Sequence, residues 1–327
     1  MEKNHAVSGI QPFLEWNRRQ GHTILHTESS YWVSAGMGAY QAIPYHAVIM
    51  PSEQELQTLF REHRVTALRY SAPLSAPEGM LSYHIVYEGK TYPPKKLPHK
   101  AKKGAALAVI EPIPLSRLAS EGWELRRDTL QRQGRLGAEK RAWWEKLCLT
   151  GQDIPGLEAW GAMVEGKLTA ALLGIECDDT FCILFQQSLR DYLRLGVNNA
   201  LTYVVTTKIL ERPHIQRIFY GLHSLDAPAS VDEYKIHMGY SLKPVRQRIV
   251  FSPFLRPLVN PFTHAGLKIA LRLFPSSYLF AKAEGMFRFY LNGKIPLMEQ
   301  LPPPLLVAAQ TSAEQALRPA EKGTGAG

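Results

Sequence analysis

Between Glu158 and Leu189 the chain reads EAWGAMVEGKLTAALLGIECDDTFCILFQQSL, three β-rich runs separated only by Glu165-Gly166 and by Asp178-Asp179-Thr180. Both connections are hairpin chemistry, and parallel strands would need a crossover of roughly a dozen residues or more. The segment therefore predicts an antiparallel meander of neighbouring strands. Next, RDYLRLGVN opens into NNALTYVVTTKILER, an apolar-faced helix with Asn198 or Asn199 as N-cap and Pro213 beyond its end. A strand QRIFYGL, a short helix ASVDEYKIHMG and the β-rich run SLKPVRQRIVF follow. The order β-β-β-α-β-α-β predicts a mixed α/β layer that begins with the meander.

The first half is less regular. From Gln11 to Tyr87 short β-rich runs alternate with polar breaks. HAVIMP, from His46, reads as a strand, and SEQELQTLFREHR as a helix with Ser52 as N-cap and Glu55 completing a capping box. VTALRYSAP and LSYHIVYEG return to strand character, KTYPPKKLPHKAKK is strongly basic, ALAVIEPI reads as a strand, and Leu115 to Cys148 as a long polar helical region. Trp143 and Trp144 there are expected to serve packing. With 327 residues, two compact units are expected. The division predicted is a lobe over 1–152, a second over 153–252, an amphipathic helical extension over 253–298 and a disordered tail over 299–327. Lys268, Arg272, Lys282 and Arg288 interleave with apolar residues in that extension. Such helices suit packing on the second lobe, or peripheral contact with anionic lipid at the inner face of a membrane.

Charge bounds the partners. Lys and Arg number 38 against 29 Asp and Glu, formally +9, which favours anionic partners without choosing among them. MEKNHAVSGIQPFLEW lacks a signal-type apolar core, and no run of about 18 apolar residues predicts a membrane span. Cys148, Cys177 and Cys182 have no metal-type or redox spacing, so buried thiols, no metal and a cytoplasmic setting are expected.

Three constellations carry candidate chemistry. At Arg194-Leu195-Gly196-Val197-Asn198-Asn199-Ala200 a glycine-bearing loop meets a helix N-terminus, where free N–H groups can cradle a phosphate or simply be capped. Past Gly221, His223, Asp226 and Glu233 lie where loop residues can face a cleft, with His223 the best base by intrinsic pKa. Lys96, His99, Lys100 and Lys103, within the basic cluster Lys95 to Lys103, share a face at helical spacing. They suit a phosphate contact in a groove, docking of tRNA or an acidic carrier protein, or a solvated helix end.

The second half, from Leu157 to Phe251, resembles the GNAT acyltransferases, and more specifically the Fem-type branch in which two GNAT-like lobes share one chain. The resemblance rests on the meander, on LGVNNALTYVVTTKIL, on the glycine-ended RIFYGL and above all on DEYKIHMGY. Tyr234-Lys235-x-x-Met238-Gly239 is similar to the aromatic-lysine pair of that branch, with Tyr for the usual Phe, whereas RLGVNNA departs from the ordinary GNAT phosphate loop. The resemblance implies two lobes with mostly antiparallel sheets flanked by helices, and N-acyl transfer from an activated acyl or aminoacyl donor to an amine. It implies that Lys235 stabilises charge at the transfer site beside Tyr234 and His223. Gly196, Val197, Asn198, Asn199 and Gln187 are the expected donor contacts, and Gln186 and Gln187, at the end of the preceding central strand, are placed to orient a carbonyl. No tightly bound cofactor is expected. Acyl-CoA is the expected co-substrate, with acyl carrier protein or aminoacyl-tRNA as other donors, and no DNA partner. The alternatives are a basic-groove binding module without catalysis and a peripheral membrane protein.

Overall fold

The computed structural model of the protein describes residues 9–92, 99–135, 139–224, 229–275 and 277–307. In the first half the strands are β1 (Ile24–His26), β2 (Tyr31–Ser34), β3 (Ala39–Ile43), β4 (Ala67–Ala72), β5 (Met80–Glu88) and β6 (Val109–Ile113). The second half supplies β7 (Leu157–Val164), β8 (Lys167–Cys177), β9 (Thr180–Ser188), β10 (Arg217–Leu222) and β11 (Ser241–Phe251). Helices are α1 (Gln11–Gln20), α2 (Glu53–Arg61), α3 (His99–Leu107), α4 (Leu115–Arg132), α5 (Arg141–Leu149) and α6 (Arg190–Leu193). Then come α7 (Val197–Leu210), α8 (Ala229–His237), α9 (Pro261–Leu273) and α10 (Tyr278–Gly293).

The meander forms as its turns require. Glu165 and Gly166 both adopt left-handed backbone, with φ of 51° and 77°, and Val164 pairs with Lys167 across that turn. On β8, Leu173, Ile175 and Cys177 face a core built with α1, α4 and α5, while Ala170 and Leu172 face one built with α7. Cover on both faces explains why the strand is apolar almost throughout instead of alternating. The capping box at Ser52 and Glu55 is present, and Gly239, at φ 92°, follows α8 with Met238 buried against the sheet.

The fold is mixed α/β, and its described strands form one mostly antiparallel sheet in the order β1-β2-β3-β4-β11-β5-β10-β9-β8-β7-β6. Only the β3–β4 and β9–β10 pairs are parallel. This sheet crosses the expected division at 152 four times, the first at the β4–β11 pair. Strand β6 pairs with β7 at the far edge, and β5 lies between β10 and β11. Strands from the two sides of residue 152 thus interleave in one sheet, and the pairing partners of β5 lie far from it in sequence. HAVIMP is not a strand and makes only an isolated bridge, Val48 to Ser71. Helix α10 packs on β11 and β5 through Phe289 and Tyr290, whereas α9 has no buried residue.

Candidate active site

Strands β9 and β10 run parallel for only three residue pairs, ending at Phe219 opposite Cys182. Beyond them β9 remains paired to β8 alone, and a bulge between Phe219 and Gly221 keeps β10 on β5. Parallel strands that part in this way leave a wedge. It opens into a cavity of about 810 Å³ lined by both halves of the chain, including Tyr40, Arg69, Gln186, Tyr220, Asp232 and Lys235. A volume of this size suits a whole organic substrate.

Lys235 stands on the cavity wall at the end of β10. Its Nζ lies 3.0 Å from Asp232 Oδ1 and 5.1 Å from the centroid of the Tyr220 ring. A Cβ placed on Gly221 would come within 3.5 Å of that nitrogen. Asp232 is buried, and its other oxygen accepts a 2.9 Å hydrogen bond from the Tyr83 hydroxyl. The ammonium is therefore held by a carboxylate that is itself fixed to β5, so its position is set before any substrate arrives.

The apex of the wedge is a hydrogen-bonded tyrosine cluster. Gln186 Oε1 accepts from the Tyr220 hydroxyl, and Gln186 Nε2 donates to Asn198 Oδ1 at 2.9 Å and Thr202 Oγ1 at 2.7 Å. The Tyr234 hydroxyl meets Thr202 at 2.7 Å and donates to the Asn198 carbonyl at 2.9 Å. Burial raises the pKa of both Tyr220 and Tyr234, so these phenols stay protonated. Tyr234 thus ties α8, the helix that carries Lys235, to the start of α7.

Among the described residues six cations line the cavity (Arg69, Arg126, Arg132, Arg135, Lys235 and Lys282), against two carboxylates, Glu139 and Asp232. Arg126 bonds Glu139, with 2.8 Å between Nε and Oε2, and its guanidinium lies 4.9 Å from the Phe185 ring centroid. The cavity therefore favours an anionic guest. Gln187 also lines it. Its Oε1 is buried with no hydrogen-bond partner among the described residues.

Other expected residues fall elsewhere. His223 does not line the cavity. Its ring stacks on Tyr83 at 4.6 Å, contacts Phe289 and lies 3.1 Å from Ser82 Oγ, and burial holds its pKa down to about 4. A histidine enclosed on these sides is placed for packing and not for proton transfer to a ligand. The bulge explains this, since residues beyond it no longer follow simple alternation. Asp226 lies outside the described residues, as do Lys95 and Lys96.

The expected phosphate cradle is covered. Gly196, at φ 78°, is buried, and a Cβ there would stand 2.0 Å from the Lys100 carbonyl oxygen of α3. A Cβ on Gly104 would stand 2.2 Å from the Gly196 carbonyl oxygen in turn. The two glycines let α3 and the start of α7 touch backbone to backbone. Gly196 takes the N-cap position, so Asn198 and Asn199 fall in the first turn instead of capping it. Val197 is buried, Asn199 Nδ2 reaches Met238 Sδ at 3.2 Å, and of these four residues only Asn198 lines the cavity. None of the described residues of the basic cluster, His99 to Lys103, lines it either. Trp144 packs as expected, but Trp143 borders the cavity.

Asp232, Tyr83, Tyr220, Thr202 and the Arg126–Glu139 pair were not foreseen. Only Asp232 carried a usable signal, three residues before Lys235 on one helix. Among the described residues no group of side chains could hold a metal ion, and no helix is long and apolar enough to cross a membrane.

No protein-family model matches the chain, and no curated protein matches it in sequence. Solved structures match in fold. The C-terminal DUF2156 domain of a putative lysylphosphatidylglycerol synthetase from Agrobacterium fabrum aligns at TM-score 0.50 and 12% identity, covering 73% of this chain and 86% of that one. FemX aligns at TM-score 0.50 and 8% identity, covering 75% and 92%. A conserved protein of unknown function from Bacteroides thetaiotaomicron VPI-5482 aligns at TM-score 0.50 and 12% identity, covering 72% and 87%. The fold is GNAT-like, as the meander and the aromatic-lysine helix implied.

Proposed function

We propose that the protein is an N-acyltransferase that passes an activated acyl or aminoacyl group to an amine in the cavity between β9 and β10. The observation that carries this reading is the pairing of half-buried Lys235 with buried Asp232 at the mouth of the wedge, 3.0 Å apart and surrounded by an excess of positive charge. When an amine attacks an acyl carbonyl, the C–N bond forms and negative charge builds on the carbonyl oxygen. A cation already fixed in place lowers that barrier without reorganising. Collapse of the adduct breaks the C–S or C–O bond of the donor, and the proton of the amine passes to the departing sulfur or oxygen. Lys235 is the electrostatic catalyst in this scheme, with Asp232, Tyr83 and Tyr234 holding it.

The donor is an acyl-CoA, an acyl carrier protein or an aminoacyl-tRNA, all anionic and all matched to a cationic cavity. Gln187 and Asn198 are the expected donor contacts. The α7 amides at Gly196 and Val197 are left out of this reading because α3 covers them. The experiment is a panel of acyl-CoA and aminoacyl-tRNA donors with small amines, following thiol release or deacylation. The wild-type chain should turn over at least one donor, and the Lys235→Met variant should be about a hundredfold slower.

A further inference from the structure

Among the described residues nothing buries the outward side of helix α9. Leu267, Ala270 and Leu271 are partly covered, and His264 bonds Glu284 of α10 at 2.9 Å, so this side packs inward. Phe262, Gly266, Ile269 and Leu273 recur at spacings of four, three and four residues and share the opposite side. Phe262 is 89% exposed and Leu273 70% exposed. Just before the helix, Phe254 is 88% exposed, and Leu258 is exposed as well. A stripe of this kind on a well-capped helix is costly to leave in water. Asn260 accepts from Phe262 N at 3.0 Å and Thr263 N at 3.1 Å, so the helix is well formed.

Charge identifies what covers it. No Asp or Glu occurs between Glu233 and Glu284, while Arg256, Lys268, Arg272 and Lys282 fall within that span. Glu284, the first carboxylate to appear, is turned inward onto His264 and Arg288. Lys268 and Arg272 are one turn apart and flank the stripe on one side. Apolar side chains that protrude singly, edged by cations without any anion, match a helix lying in the plane of an anionic lipid surface. We propose that α9 is the docking face of this protein for a bilayer containing anionic phospholipid. The same helical hairpin borders the cavity through Tyr278 and Lys282 of α10, so docking brings the cavity wall towards the lipid–water boundary. The surface is distinct from the transfer chemistry, and its test needs no turnover.

The test is co-sedimentation of the full chain with vesicles of phosphatidylcholine mixed with phosphatidylglycerol, beside vesicles of phosphatidylcholine alone. The chain should sediment with the mixed vesicles, more weakly as salt is raised, and much less with the neutral ones. The double variant Phe262→Asp, Leu273→Asp should reduce binding to the mixed vesicles about tenfold or more, with an unchanged melting temperature. Lys268→Glu with Arg272→Glu should abolish the preference for phosphatidylglycerol. Failure to sediment with either vesicle, as for a face that docks an acidic protein, overturns the proposal. So does sedimentation that the Phe262 and Leu273 changes leave intact.

Discussion

Asp232 and Lys235 stand one turn apart on α8 with 3.0 Å between carboxylate and ammonium, at side-chain exposures of only 7% and 12%. A pair this enclosed is strongly interdependent, because removing either member strands the charge of the other. Lys235→Met should therefore cost about 3 kcal/mol of stability, and Asp232→Asn a similar amount, whereas the double variant should recover most of the loss. Activity should follow a different pattern. The double variant, though stable, should remain about a hundredfold slow because the ammonium is gone. Chemical denaturation paired with initial rates on all three variants separates the two effects. Recovery of rate together with stability would show that Lys235 only balances Asp232.

Gln187 offers a cleaner separation. Among the described residues its buried Oε1 has no partner and its Nε2 makes a single 3.4 Å contact, with the Gly122 carbonyl, so Gln187→Met should leave the melting temperature near wild type. The donor KM should rise about tenfold, the loss expected for a ligand group left without its acceptor. An unchanged KM with a lower melting point would make Gln187 a structural residue.

The contact between Gly104 and Gly196 makes a prediction about stability. Gly104→Ala pushes a methyl group against the Gly196 carbonyl and should cost about 3 kcal/mol, seen as an earlier urea midpoint. Donor affinity of the folded fraction, measured by calorimetry, should not change. A fall in affinity at constant stability would return the start of α7 to the donor site.

Three histidines link stability to pH. His46, His84 and His223 all have pKa values lowered to about 4, with burial the largest cause in each. Because the unfolded chain binds these protons near 6.5 and the folded chain does not, the stabilisation is complete above that value. It is lost progressively as pH falls from there towards 4. The melting temperature should drop across this window, and His223→Phe, which keeps the stack on Tyr83, should shallow the slope by about one proton. A flat profile would mean that these rings are hydrated. Since His223 is outside the cavity, the same variant should keep wild-type turnover at neutral pH.

What the sequence made legible was local. The turn at Glu165-Gly166 and the cap at Ser52 are each decided by a few adjacent residues, and each formed as read. Lys235 was singled out through the resemblance carried by DEYKIHMGY, and the helix Ala229–His237 brings its Nζ to Gly221. The insertion of β5 between β10 and β11 was not legible, because strand pairing across more than a hundred residues leaves no local mark. The bulge at Tyr220, which carries His223 out of the cavity, is set by cross-strand register and not by composition. Gly196 misled for a physical reason: a glycine needed for close helix contact and one needed for phosphate approach look identical in sequence.

The most direct test of the central claim is the initial rate of acyl transfer to amine acceptors, measured across acyl-CoA and aminoacyl-tRNA panels with the wild type and the stable Asp232→Asn, Lys235→Met double variant side by side. The account predicts turnover of at least one donor by the wild type and a loss of about a hundredfold in the variant at matched fold. No turnover of any donor, or equal rates in the two proteins, would contradict it.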